Sequence, residues 1–280
     1  MPPPPAPERS LTSVLRLARF AEGERRFHAL LDDDGRVREI GGPISLDPRD
    51  APAWAAGAGT PREAGGLRAL PPCLPSKIIG VGRNYREHAA ELDHEVPLQP
   101  LIFLKPPSAL VAPGEAIRLP GDSQRVDYEG ELGVVIGREA WKVSEERALE
   151  HVLGFTCVND VTARDLQASD VQFTRAKGFD TFCPLGPCIA IGLALEDLVV
   201  ETRVNGELRQ SAPVARMIFG VPRLISFISS VMTLLPGDLI ATGTPAGVGP
   251  LHPGDEVTVG IAGIGRLTNR VLGPEDGRTP

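Results

Sequence analysis

Apolar and polar residues alternate with a period of two along much of this chain. The alternation runs through residues 13–20, returns over 26–31, and resumes over 36–40 after the turn Asp32-Asp33-Asp34-Gly35. A period of two puts every second side chain on one face of a strand, so these runs predict a small antiparallel meander. Residues 41–75 are dominated by Gly, Ala and Pro, with room for one short helix, and read as a connection. Further strands are predicted at 77–82, 101–105, 126–137, 152–160, 198–204, 239–242, 256–261 and 265–272. Helical patterns cover 85–92, 144–151 with Ser144 as N-cap, and 161–167. One longer apolar helix covers 221–235, with Pro222 in its first turn and Pro236-Gly237 beyond its end. Strands outnumber helices, which defines an α+β class with a β-rich core.

Composition agrees with that picture. The 280 residues include 31 Gly and 28 Pro but only 5% aromatics, as expected for short strands joined by turns. The expected division is a Pro-rich disordered tail (1–9), a small N-terminal β domain with its connection (10–72), a catalytic domain (73–274) and a flexible tail (275–280). A net charge of −7 and a pI near 5.4 argue against nucleic acid or an anionic membrane as partner. No apolar run reaches transmembrane length, and the opening Met-Pro-Pro-Pro-Pro-Ala-Pro is unlike a secretory signal. The four cysteines have neither zinc-site spacing nor disulfide-scaffold density, so a reduced, cytoplasmic protein is expected.

Candidate chemistry centres on the stretch 126–137, which contains Glu129-Gly130-Glu131. On a strand both glutamates face the same way, where their charges repel. A solvated strand face and a cation site are both consistent with this pair taken alone. Asp160 adds a third carboxylate at a strand–helix junction, as a helix N-cap or as a ligand. Three oxygen donors suit Mg²⁺, Mn²⁺ or Ca²⁺, and no His- or Cys-rich cluster favours zinc. His88 and Glu91, spaced i, i+3, share a helix face as a general-base pair or as an ordinary surface pair. Lys105 and Lys177 are either solvated or placed to meet a substrate carboxylate or an oxyanion. Arg164 supplies a carboxylate clamp with Gln167 three residues on. Gly80-Val81-Gly82 fails as a dinucleotide fingerprint because Tyr85 stands where a small residue is needed. The turn 243–249 lacks a P-loop ending; either it is a plain turn or its N–H groups face a carboxylate.

Taken in order, seven segments resemble the fumarylacetoacetate hydrolase family. They are 82–91 (GRNYREHAAE), 103–106 (FLKP), 127–132 (DYEGEL), 159–167 (NDVTARDLQ), 177–180 (KGFD), 204–207 (VNGE) and 243–249 (GTPAGVG). The resemblance implies a catalytic domain of mixed β-sheets in a sandwich or roll, usually as a homodimer, preceded by the small β domain of the longer bacterial members. It implies Mg²⁺ or Mn²⁺ on Glu129, Glu131 and Asp160, and a lid carrying His88 and Glu91. Arg164, Gln167, Lys177 and Thr244 are then expected to contact substrate, with Lys105 close by. The leading expectation is hydrolytic C–C cleavage of an acylpyruvate-like 2-oxo acid, in which His88 with Glu91 activates water and Lys177 offsets negative charge. Oxaloacetate decarboxylation, keto–enol tautomerisation or isomerisation of a hydroxy-diene dioate is the alternative on the same site. An inactive small-molecule-binding relative is a third reading.

Overall fold

The computed structural model describes residues 14–93 and 95–274, so both expected tails, 1–9 and 275–280, lie outside the described residues. Among the described residues, strands dominate and fall into three sheets. The largest has 11 strands. Its central members are Cys183–Ile191, Val152–Asn159, Gly130–Ile136, Leu239–Ala241 and Ile78–Gly82, in that spatial order, with Leu101–Lys105 at one edge. A five-stranded sheet runs Glu207–Pro213, Val199–Val204, Glu256–Ile261, Gly265–Leu272, Ala116–Arg118. A three-stranded one joins Thr162–Ala163, Val126–Tyr128 and Gly249–Pro250.

The N-terminal alternation folds as predicted, into Leu15–Glu22, Arg25–Leu31 and Val37–Glu39. These strands also continue the large sheet: Leu15, Arg16 and Leu17 pair antiparallel with Ile191, Ala190 and Ile189. The strand that receives them, Cys183–Ile191, is absent from the sequence expectation because Pro184 and Pro187 argue against a central strand. Here Pro184 lies beside the short parallel partner Leu110–Val111 and Pro187 follows a register shift, so the ladder tolerates both. The hairpin partner Glu207–Pro213 is a second strand missing from the expectation, although Asn205-Gly206 before it is a strong two-residue turn signal.

The two strands at the heart of the molecule are buried along their whole length. Every residue of Gly130–Ile136 and of Val152–Asn159 is buried, as befits strands covered on both faces. Leu132, Val134 and Ile136 enter one apolar cluster, and Val135 with Val158 enters another on the opposite face. The helix Val221–Val231 lays Val221, Leu224, Ile225 and Ile228 on the first cluster. It ends four residues short of the expected 235, because Leu234 leaves the helical path and bridges Ala140. The stretch 144–151 forms a 3-10 helix, Glu145–His151, which Ser144 precedes.

Candidate metal centre

The predicted single strand 126–137 is in fact two. Regular pairing stops at Tyr128 and restarts at Gly130, leaving Glu129 at the junction between the small and large sheets. Backbone bonds pin that junction: Glu129 N donates to Asn159 Oδ1 (2.9 Å), and Asp160 N donates to Glu129 O (2.9 Å). Gly130 permits the close approach of the neighbouring sheet, since a Cβ there would fall 1.9 Å from Thr202 Oγ1. Its N–H donates to Gln210 Oε1 (3.0 Å) and its carbonyl accepts from Thr244 Oγ1 (2.9 Å). Gln210 ties the two together by donating to Thr244 Oγ1 at 2.8 Å.

Asp160 follows the last residue of Val152–Asn159 and is not a helix cap; Ala163 holds that position for the helix Arg164–Ser169. The Glu129, Glu131 and Asp160 side chains are all buried, and one oxygen from each lies within 4.8 Å of the others. The solvated-face reading of Glu129 and Glu131 is therefore excluded.

Cations surround two of the three carboxylates. Lys177, on the short helix Thr174–Gly178, bridges Glu129 Oε2 (2.7 Å) and Asp160 Oδ2 (2.6 Å). Arg164 reaches Glu129 Oε1 through Nη2, Asp127 Oδ2 through Nε (2.9 Å) and Gln167 Oε1 through Nη1 (2.8 Å). Lys105 is wholly buried and donates to Asp160 Oδ1 (2.6 Å) and Val161 O (3.3 Å). Its ammonium thus holds the Asp160 carboxylate on Oδ1, where Lys177 takes Oδ2.

Glu131 is treated differently. It accepts from Gly243 N (2.8 Å), and among the described residues no cation pairs with it. Burial, followed by the charges of Asp160 and Glu129, pushes its carboxyl well above the usual range. Burial also opposes the charge on Glu129, but Arg164 and Lys177 outweigh it and hold that carboxyl well below the usual range. Lys177 loses something to burial and gains more from Asp160 and Glu129, so its ammonium is kept above its ordinary value. Three converging hard oxygen donors, one of them with no direct ion pair among the described residues, fit a divalent cation. Tyr85 Oη, near Glu131 and buried without a hydrogen-bond partner among the described residues, is a further polar atom in this corner.

Glu129 and Glu131 open onto a cavity of about 510 Å³ lined also by His88, Arg164, Gln167, Lys177, Thr244, Phe103 and Phe173. His88, on the helix Arg86–Glu91, is buried with Nε2 4.0 Å from Glu129 Oε1. Its Nδ1 lies 3.5 Å from Glu91 Oε2, a loose contact. Burial dominates its surroundings and lowers its pKa, which favours the neutral imidazole a base requires. Both Glu91 oxygens accept from Gly247 N, at 3.0 and 3.1 Å. The turn 243–249 therefore does present N–H groups to carboxylates, through Gly243 and Gly247, both at positive φ. Gln210, Asp127 and the Phe103–Phe173 pair are contributors missing from the sequence expectation. Only Gln210 had a readable signal nearby, the Asn205-Gly206 hairpin that returns it to the sheet.

Fold and centre together define a strand-rich α+β protein in which a metal-coordinating acidic cluster opens onto a small-molecule cavity. Residues 77–272 match the fumarylacetoacetate (FAA) hydrolase C-terminal family, and the chain belongs to that family, with an additional N-terminal β-rich segment. The Bacillus subtilis oxaloacetate tautomerase YisK is 46% identical over 211 residues, covering 70% of this chain and 70% of that one. A 2,4-didehydro-3-deoxy-L-rhamnonate hydrolase from Sphingomonas sp. (strain SKA58) is 36% identical over 278 residues, 92% of this chain and 96% of that one. The structure of a 5-carboxymethyl-2-hydroxymuconate delta-isomerase from Mycobacterium smegmatis is similar with a TM-score of 0.81 and 42% identity, covering 92% of this chain and 99% of that one.

Proposed function

We propose that this protein is a Mg²⁺- or Mn²⁺-dependent enzyme that moves a proton within a small 2-oxo acid, as a keto–enol tautomerase or an isomerase. The observation that carries the reading is the convergence of Glu129, Glu131 and Asp160, two of which, Glu129 and Glu131, line one cavity with a buried His88. Glu129, Glu131 and Asp160 would hold the ion, which as a Lewis acid polarises the 2-keto oxygen and acidifies the adjacent carbon. His88 is the group placed to carry the proton: its lowered pKa keeps it neutral, and Glu91 lies on its Nδ1 side. A proton leaves C3 as one is delivered to the oxygen at C2, and nothing is oxidised or cleaved. Lys177 supplies positive charge on the same side, and Phe103 and Phe173 limit the water that reaches it.

The tautomerase and isomerase relatives favour this outcome over the hydrolytic C–C cleavage expected from sequence. Hydrolysis is the second reading, supported by the Sphingomonas hydrolase and by the room beside His88 for an attacking water. NMR of oxaloacetate and of acetylpyruvate, each with the protein and Mg²⁺, separates the two. Enol–keto exchange accelerated without new carbon fragments supports the proposal. Acetate and pyruvate released from acetylpyruvate, with no accelerated exchange, overturn it in favour of hydrolysis.

A further inference from the structure

The cavity beside the acidic centre is lined by four cationic side chains, Arg83, Arg125, Arg164 and Lys177. Three of them are committed. Lys177 bridges Glu129 and Asp160, while Arg164 and Arg125 share Asp127, the latter at 3.0 and 3.2 Å. Arg83 is different: among the described residues its guanidinium has no hydrogen bond and no ion pair.

The backbone beneath it is also unusual. Arg83 has φ +57°, in the left-handed region that L side chains seldom adopt. Its neighbour enforces that conformation. Asn84 is fully buried, and its Nδ2 donates to Thr242 O (2.7 Å) and Phe219 O (3.0 Å) while its Oδ1 accepts from Phe219 N (2.8 Å). The chain is thus clamped immediately after Gly82, the last residue of Ile78–Gly82. Glycine or asparagine would satisfy this conformation at lower cost. Arginine gains nothing here from any partner among the described residues, so strain and a charge unpaired among them coincide at a cavity wall.

We infer that Arg83 reads a second carboxylate on the substrate and makes the cavity selective for dicarboxylic 2-oxo acids; this rests on the 2-oxo acid reading above. The acidic centre, through its ion, engages the 2-oxo acid end, and its own carboxylates repel any further free carboxylate. A second carboxylate therefore needs an uncommitted cation elsewhere in the cavity. Arg83 supplies a planar fork that pairs with a carboxylate through two parallel hydrogen bonds. The same cavity has an apolar wall to pass the intervening carbons. Phe103 packs its ring over Gly80, where a Cβ would lie 2.2 Å from it, and meets Phe173 edge-on at 5.6 Å between centroids.

The test is equilibrium titration of the full chain, with Mg²⁺ present, using oxaloacetate and 2-oxobutanoate, which differ only in carboxylate against methyl at C4. The wild type should bind the dicarboxylate about tenfold to a hundredfold more tightly, the effect of a charge-assisted pair. Arg83→Asn, which suits the left-handed backbone, should abolish that preference, leave 2-oxobutanoate binding unchanged and keep or raise the melting temperature. Arg83→Lys should retain part of the preference. An Arg83→Asn protein that still prefers the dicarboxylate, or that loses affinity for both acids equally, overturns the inference. A wild type that binds neither acid removes the 2-oxo acid reading itself, and the inference with it.

Discussion

Two regions of this molecule use the same chemical groups in opposite ways. In the N-terminal strands, Glu22 accepts from Arg62 (2.9 Å) and Arg25 (2.7 Å), and Arg25 also pairs with Glu39. At the centre, Glu129 and Asp160 accept from Arg164, Lys177 and Lys105 at similar range. The contacts look alike, but the first cluster is half-exposed and the second is buried. In solvent, screening makes such pairs nearly neutral for stability. In the interior the same charges cannot be left unmatched without large cost, and Glu131, with which no cation pairs among the described residues, leaves the acidic cluster able to take a metal. Burial, more than the number of charges, separates a decorated surface from a reactive centre.

The comparison breaks most sharply at Glu131. Glu131→Gln should weaken Mn²⁺ binding by at least about a hundredfold in calorimetry, since even outer partners of metal ligands contribute 10–100-fold. Unchanged Mn²⁺ affinity would remove the metal from the centre. His88→Ala should leave Mn²⁺ affinity intact and slow proton exchange in oxaloacetate by about 10²–10⁴-fold. Full turnover without His88 would assign the proton to another group.

Stability supplies the next test. Gly130→Ala should destabilise by about 1–3 kcal/mol in denaturant titration, because the new methyl meets Thr202. A neutral result would mean that the two sheets separate more easily at Glu129 than the geometry implies. Burial pushes the Cys73, Cys183 and Cys188 thiols up to about 12, leaving roughly one thiolate in 10⁴ at pH 8. Native protein should then react slowly with a maleimide, and denatured protein quickly; fast native labelling would show that this core opens.

The exposed cluster should give the smallest effects. Glu22, bonded to Arg62 and Arg25, is drawn down to about 2. Its folded pKa is depressed, so any stabilisation is present above the ordinary carboxylate pKa and fades as pH falls toward about 2. Glu22→Gln should barely move the melting temperature at pH 7, with the residual shift erased by about 1 M salt. A large, salt-insensitive loss would place the N-terminal cluster with the buried one.

Much of this was legible from residue order. Alternation placed the N-terminal meander and the strands at 256–261 and 265–272, because period two is a local property of the chain. The three carboxylates were identifiable by type and by their place in the family-ordered motifs. The break in pairing at Glu129 was not, since it arises where two sheets diverge. Nor was the strand Cys183–Ile191, whose prolines are tolerated only because of what lies beside them.

Residue order alone settles which groups are available: hard oxygen donors, a histidine, lysines, and glycines where backbones must pass closely. What each one does depends on how the chain folds. Folding turned Lys105 inward onto Asp160, set Gln210 beside Thr244, and, among the described residues, left Glu131 without a paired cation and Arg83 at the cavity wall without a partner. The physical reason is that charge, solvation and strain depend on neighbours brought together from distant parts of the chain, and local periodicity carries no information about those neighbours.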